Sequence, residues 1–194
     1  MRVLGVDPGL TRCGLGVVDG PVGKPVHVHH EVVGSATSVE LPVRLQCVYD
    51  ATVAAIARFA PDLLAIERVL FSKNKRTAIA TGHAAGVVML AAAQHGLAVI
   101  ELTPTDVKLS VTGDGAADKD GVNRMVSAQL ALTASPRPAD AADALAVALA
   151  ALARVRIARA SAPTASSWED LLDSGKVRVA GGTATADALR KGAR

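Results

Sequence analysis

Apolar positions open the chain in three short runs: 2–6, 13–18 and a longer, partly alternating one at 26–34. Gly and Pro mark the breaks at 8–9 and 20–25. Runs of that length between turn residues predict three strands in an antiparallel meander. The spacing then changes: Leu45, Val48, Val53, Ile56 and Phe59 fall on one side of a helical repeat, which predicts an amphipathic helix stopped by Pro61. "LLAIE" at 63–67 and "LAVIEL" at 97–102 are short apolar runs on either side of an Ala- and Gly-rich stretch of helical length at 75–94. Strand, helix, strand predicts a parallel crossover. A short helix is expected at 104–110, capped by Thr103 or Thr105. The loop "GDGAADKD" leads to another at about 118–131, and a last helix begins near Ala139. Beyond about residue 155 the periodicity ends in "RASAPTASS" and "VAGGTATADALRKGAR". Residues 1–155 are therefore expected to form one domain and 156–194 a flexible basic tail.

Composition narrows the class. With 194 residues the chain suffices for one domain with a real core. Half of it is hydrophobic but only 2% is aromatic, so the core must be Ala, Val, Leu and Ile, material suited to helices on a sheet. Cys13 and Cys47 lie far apart without metal or redox spacing, which points to a reducing, cytoplasmic compartment. Asp7 interrupts any signal-peptide core, and the Ala/Leu run at 144–153 falls short of the roughly 20 residues a bilayer span requires. No membrane association is expected. The net charge of +3 is unevenly spread: up to Ala153, 13 Lys and Arg face 14 Asp and Glu, whereas from Arg154 onward 8 face 4. The body is close to neutral and the basic excess lies in the tail.

Four carboxylates change the picture. Asp7 and Glu67 each end an apolar strand, so in neighbouring strands both would emerge at one sheet edge. Asp140 and Asp143 stand three apart near the start of the last helix and share a face. Taken singly, each has an ordinary reading as turn residue, ion-pair partner or helix cap. Taken together, they would repel one another and raise one another's pKa values unless cations sat among them. Oxygen donors without paired Cys or His select Mg²⁺ or Mn²⁺. Two such ions about 4 Å apart would offset the four charges, activate a water and stabilise the leaving oxygen of a phosphodiester. Metal-dependent phosphoryl hydrolysis is the chemistry that fits. The cluster "FSKNKR", with Lys73, Lys75 and Arg76, follows Glu67 closely enough to touch phosphates. His27 and His29 are expected to alternate onto one face of a strand, beside His30, as surface residues and not metal ligands.

The segments "GVDPGLTRCGLGVV", "AIERVLFSKN", "VKLSVTGDGAADK" and "PADAADALAVAL" together resemble the RuvC family of bacterial Holliday-junction-resolving endonucleases, in the RNase H-like, retroviral-integrase superfamily. The resemblance covers residues 1 to about 155, with motifs in order and at the family's spacing. It implies an α/β fold, a mixed five-stranded sheet flanked by helices, and a homodimer that nicks two strands of a four-way junction symmetrically, leaving 5′-phosphate and 3′-hydroxyl ends. It gives Asp7, Glu67, Asp140 and Asp143 the catalytic, metal-binding places. Lys108 and Lys119, by themselves solvated helix ends, match family lysines near the scissile phosphate. The family commonly carries a stacking aromatic where this chain has Leu70, so either Leu70 acts as the wedge or the adjacent Phe71 does. "GHAAG" at 82–86 falls in the family's dimer region. The tail has no counterpart in the resemblance; it could add DNA affinity, dock a branch-migration complex through Trp168, Leu171 and Leu172, or be inert. The alternatives are a related RNase H-fold nuclease acting on another branched nucleic acid and a non-catalytic junction-binding protein. An actin-like or sugar-kinase-like phosphotransferase is disfavoured because no second phosphate loop is found.

Overall fold

The computed structural model describes residues 1–21, 23–69 and 75–158, with the backbone alone at Lys75, Arg76 and 156–158. The tail expected at 156–194 lies almost wholly outside them, as do Leu70, Phe71 and Lys73. The elements run β1 Val3–Asp7, β2 Cys13–Asp19, β3 Val26–Val33, α1 Leu41–Phe59, β4 Leu63–Glu67, α2 Lys75–Gln94, β5 Val99–Leu102, α3 Pro104–Thr112, α4 Lys119–Gln129 and α5 Ala139–Ala158. They form one five-stranded sheet ordered β3-β2-β1-β4-β5. The β1/β2 and β2/β3 pairs are antiparallel, and β1/β4 and β4/β5 are parallel. The meander and the crossover both stand as expected, and the sheet is mixed.

Most boundaries follow from local chemistry. Thr103, not Thr105, caps α3: its side chain accepts from the Asp106 amide while Asp106 accepts from the Thr103 amide, a capping box. Asp118 caps α4 by accepting from Gly121. β5 begins at Val99 and not at Leu97, because Gly96 at φ 67° closes α2 and the Leu97 amide folds back onto the Ala92 carbonyl.

Strand alternation sorts the core into two layers. Leu4, Val6, Cys13, Leu15, Val17, Leu64 and Ile66 face α1 and α2, whereas Val3, Val18, Leu63 and Ala65 face α5, with α3 and α4 behind it. The segment Thr77–Gln94 of α2 is long and apolar enough to cross a membrane by composition, and one face of it, with Ala84, Ala85, Val88, Ala91 and Ala92, is buried in the domain.

One strand departs from simple alternation. Register between β2 and β3 shifts between Val17 and Val18, leaving an extra residue on β3. The bulge turns His27 away from His29 and onto His30, with His27 Nε2 2.8 Å from His30 Nδ1, while His29 stacks on Phe59. The expected pairing of His27 and His29 on one face is thus corrected, and both are half-buried rather than surface residues.

Candidate functional site

Asp7 and Glu67 are the last residues of β1 and β4. The parallel register, Val3 beside Leu63 through Val6 beside Ile66, carries the two carboxylates to the same sheet edge and, by alternation, to the face that α5 covers. Three glycines decide how close α5 comes. A Cβ on Gly5 would run into the Ala144 carbonyl and the Ala148 amide, one on Gly14 into the Asp140 carbonyl, and one on Gly16 into the Leu145 amide. Gly5, Gly14 and Gly16 therefore form a flat bed on two neighbouring strands, and an Ala-rich helix lies directly on it. The bed lowers the first turns of α5, with Asp140 and Asp143, towards the strand ends. Sequence reasoning missed these glycines as site determinants; their signal was the recurrence of Gly at alternate strand positions opposite an alanine-lined helix.

The electrostatics show that the four charges interact. Burial first, and then Glu67, Asp143 and Asp140, together push the Asp7 carboxyl up to about 7, against a smaller opposing effect of Lys119. Glu67 is also raised, first by burial and then by Asp143, and is eased by Lys119 and Lys108. Lys119 Nζ lies 2.6 Å from Asp143 Oδ2, and that bond holds the ammonium above its ordinary value despite partial burial. Arg12 Nε lies 3.0 Å from Asp140 Oδ2. Two hollows open on either side of the Asp7/Glu67 pair. One of about 300 Å³ is lined by Lys108, Lys119 and Asp143 among others. The other, about 220 Å³, is lined by Arg68, Thr77 and Thr81.

The structure thus gathers Asp7, Glu67, Asp140, Asp143, Lys108 and Lys119 at one edge, as the sequence predicts. Lys75 and Arg76 open α2, but their side chains are not described. Arg12 was not foreseen; its signal was a lone cation in the turn directly after Asp7. Gly82 and Gly86 do not press on the sheet, since a Cβ at either would meet nothing within 4 Å, and Ile79 and Leu90 on the same side of α2 are exposed.

A divalent cation suits this donor set: four carboxylates, all oxygen, two of them raised first by burial and then by neighbouring carboxylates, which protein cations only partly offset. Among the described residues no three His, Cys, Asp or Glu side chains already converge as a cage. Two of the four carboxylates are instead drawn to Arg12 and Lys119.

Residues 3–151 match the family model described as "Crossover junction endodeoxyribonuclease RuvC". A relative of that name from Rhodococcus opacus is 51% identical over 170 residues, covering 85% of this chain and 90% of the relative. Another from Bifidobacterium adolescentis is 49% identical over 150 residues, covering 77% and 78%. Among solved structures, T. thermophilus RuvC in complex with Holliday junction substrate superposes with a TM-score of 0.78 at 35% identity, covering 81% of this chain and 96% of that one. The yeast mitochondrial Holliday junction resolvase shares the fold, at TM-score 0.56 and 12% identity, over 81% and 83% of the two chains.

Proposed function

The chain belongs to the RuvC family of crossover junction endodeoxyribonucleases and acts on Holliday junctions in DNA recombination and repair, and on that premise we propose that Asp7, Glu67, Asp140 and Asp143 form its metal-dependent catalytic centre. The observation that carries this reading is the juxtaposition of Asp7 and Glu67, ending adjacent parallel strands, with Asp140 and Asp143 on the helix laid over them, an arrangement in which burial and then the three neighbouring carboxylates raise Asp7. Asp7, Glu67, Asp140 and Asp143 would hold two Mg²⁺ ions, or Mn²⁺ in their place, which would supply Lewis acidity for activating a water and offsetting charge on the scissile phosphate. The chain's own residues do the rest. Asp7 and Glu67, set on adjacent strands, hold a rigid half of the site; Asp140 and Asp143, carried on α5, complete it from above. Lys108 and Lys119 line the larger hollow and donate to the phosphate oxygens as charge develops in the transition state. Cleavage then leaves 5′-phosphate and 3′-hydroxyl ends.

A four-way junction presents two equivalent strands, which calls for two sites related by a two-fold axis. The open face of α2, with Ile79 and Leu90 exposed around Gly82 and Gly86, supports a homodimer through this helix. In the sequence following Glu67, Leu70 or Phe71 is the proposed junction wedge, with Lys73, Lys75 and Arg76 on neighbouring phosphates. Docking of a branch-migration complex on the tail rests on its composition alone, and a cytoplasmic location accords with the two unpaired cysteines.

The test is incubation of the full chain with a synthetic mobile four-way junction and a matched linear duplex, in Mg²⁺ or EDTA, beside Asp7→Asn. Paired symmetric nicks in the junction alone, lost in EDTA and in the variant, are the expected result. Equal cutting of the duplex would overturn the junction specificity, and junction binding without cleavage in either metal would overturn the catalytic reading.

A further inference from the structure

The carboxylate edge is bordered by cations on two sides. Lys108 and Lys119 stand on one, from α3 and α4. On the other stands Arg12, in the turn between β1 and β2, with its Nε 3.0 Å from Asp140 Oδ2. The backbone of that turn is tied down. Ser35 Oγ donates to the Leu10 carbonyl at 2.8 Å, Arg44 Nη2 donates to Thr11 Oγ1 at 3.0 Å, and Arg44 Nε donates to Ser35 Oγ at 3.0 Å. A Cβ on Gly34 would press on the Thr11 carbonyl, and one on Gly9 on the Arg12 carbonyl. The backbone of the turn is thus held in place, while the Arg12 side chain is 65% exposed and that of Asp140 19% exposed.

We infer that Arg12 is a positioning residue that trades partners: it holds Asp140 while the site is free of divalent ions, and moves to a backbone phosphate of the bound DNA when Asp140 turns to a metal. The inference rests on the reading of the four carboxylates as metal ligands. Its physical basis is competition. A guanidinium on Asp140 Oδ2 and a divalent cation held by the same carboxylate repel each other, and a half-exposed ion pair is weak enough to yield. Once freed, the planar fork of donors suits a phosphate, and its anchored backbone keeps it beside the catalytic edge. The exchange carries one positive charge from a carboxylate to the substrate at the moment the metals arrive, so neither anion is left unpaired. Lys119 stands in the corresponding relation to Asp143 on the opposite side.

The test uses the full chain as wild type, Arg12→Gln and Arg12→Lys. Mn²⁺ binding without DNA is followed by electron paramagnetic resonance, and affinity for a synthetic four-way junction is measured in Ca²⁺ across a salt series. Without its competitor, Arg12→Gln should bind Mn²⁺ roughly three- to fivefold tighter. It should bind the junction more weakly, with a log–log salt slope flattened by about 0.9 for each Arg12 engaged. Arg12→Lys should restore most of the salt slope. Mn²⁺ affinity that is unchanged or weaker in Arg12→Gln overturns the inference while leaving the metal site intact, and an unchanged salt slope overturns the transfer to DNA. A wild type that binds no Mn²⁺ sinks the carboxylate reading itself, and this inference with it.

Discussion

The two ends of the central strands treat their carboxylates in opposite ways. At the end where β1 begins, Asp19 receives the Gly20 amide, the Arg2 guanidinium at 2.9 and 3.1 Å, and the chain's own amino group at 3.5 Å. Its carboxyl is held below the ordinary value, first by the Gly20 amide and then by Arg2. Arg2 also donates to the Phe59 carbonyl at 2.6 Å, and its amide donates to Asp62, so this end is a closed polar clasp. At the end where β1 finishes, Asp7 and Glu67 are both raised, and the cations nearby are drawn to the other two carboxylates, Asp140 and Asp143. Residues of one chemical type at two ends of one sheet therefore serve two purposes. Where the fold supplies its own countercharge, a carboxylate stabilises; where it buries carboxylates together without one, their charged form is disfavoured, as suits the metal-binding role proposed for Asp7 and Glu67.

The strongest way to break this contrast is Asp7→Asn. Junction cleavage should fall by at least about a thousandfold. Urea unfolding in EDTA should nevertheless show the variant to be more stable than the wild type, because a repelled buried charge has gone. A variant that loses both stability and activity would mean that Asp7 is structural.

The pH dependence sharpens the same point. Asp7 holds its proton up to about 7 in the folded chain but only to about 4 unfolded, so between those values the folded state binds more protons. In EDTA the wild type should therefore lose stability as pH rises from 4 to 7, by up to roughly 4 kcal/mol. Mg²⁺ should reduce that loss, and Asp7→Asn should flatten it. Asp19 works with the opposite sign: its contribution is present above the ordinary carboxylate range and is lost as pH falls through its depressed pKa.

Gly14→Ala probes the bed beneath α5. The added methyl would meet the Asp140 carbonyl, so the helix must lift. Stability should drop by about 1–3 kcal/mol, and cleavage should fall by more than the folded fraction does. The smallest effect belongs to the closed end. Arg2→Ala should cost about 1 kcal/mol by denaturant titration, with cleavage per folded molecule unchanged.

Much of the fold was legible without coordinates. Short apolar runs between Gly and Pro breaks marked the five strands, and helical spacing, Ala-rich stretches of helical length and capping residues marked the five helices of the described residues, because burial and termination are written into neighbouring positions. The chemistry was legible too. Asp7 and Glu67 ending apolar runs, with Asp140 and Asp143 one turn apart, are residue choices that an uncharged core would not make. Three things were decided only in the folded state. The bulge at Val17/Val18 re-paired His27 with His30, since one unpaired residue changes which face a side chain takes. Gly5, Gly14 and Gly16 acquired their role only where α5 met them, because a missing Cβ has meaning only against the backbone that approaches it. Arg12 and Asp140, 128 positions apart in sequence, became partners only through the packing of that helix on those strands. Local periodicity is read from residues a few positions apart; close approach and charge compensation depend on distances that the chain does not have until it folds.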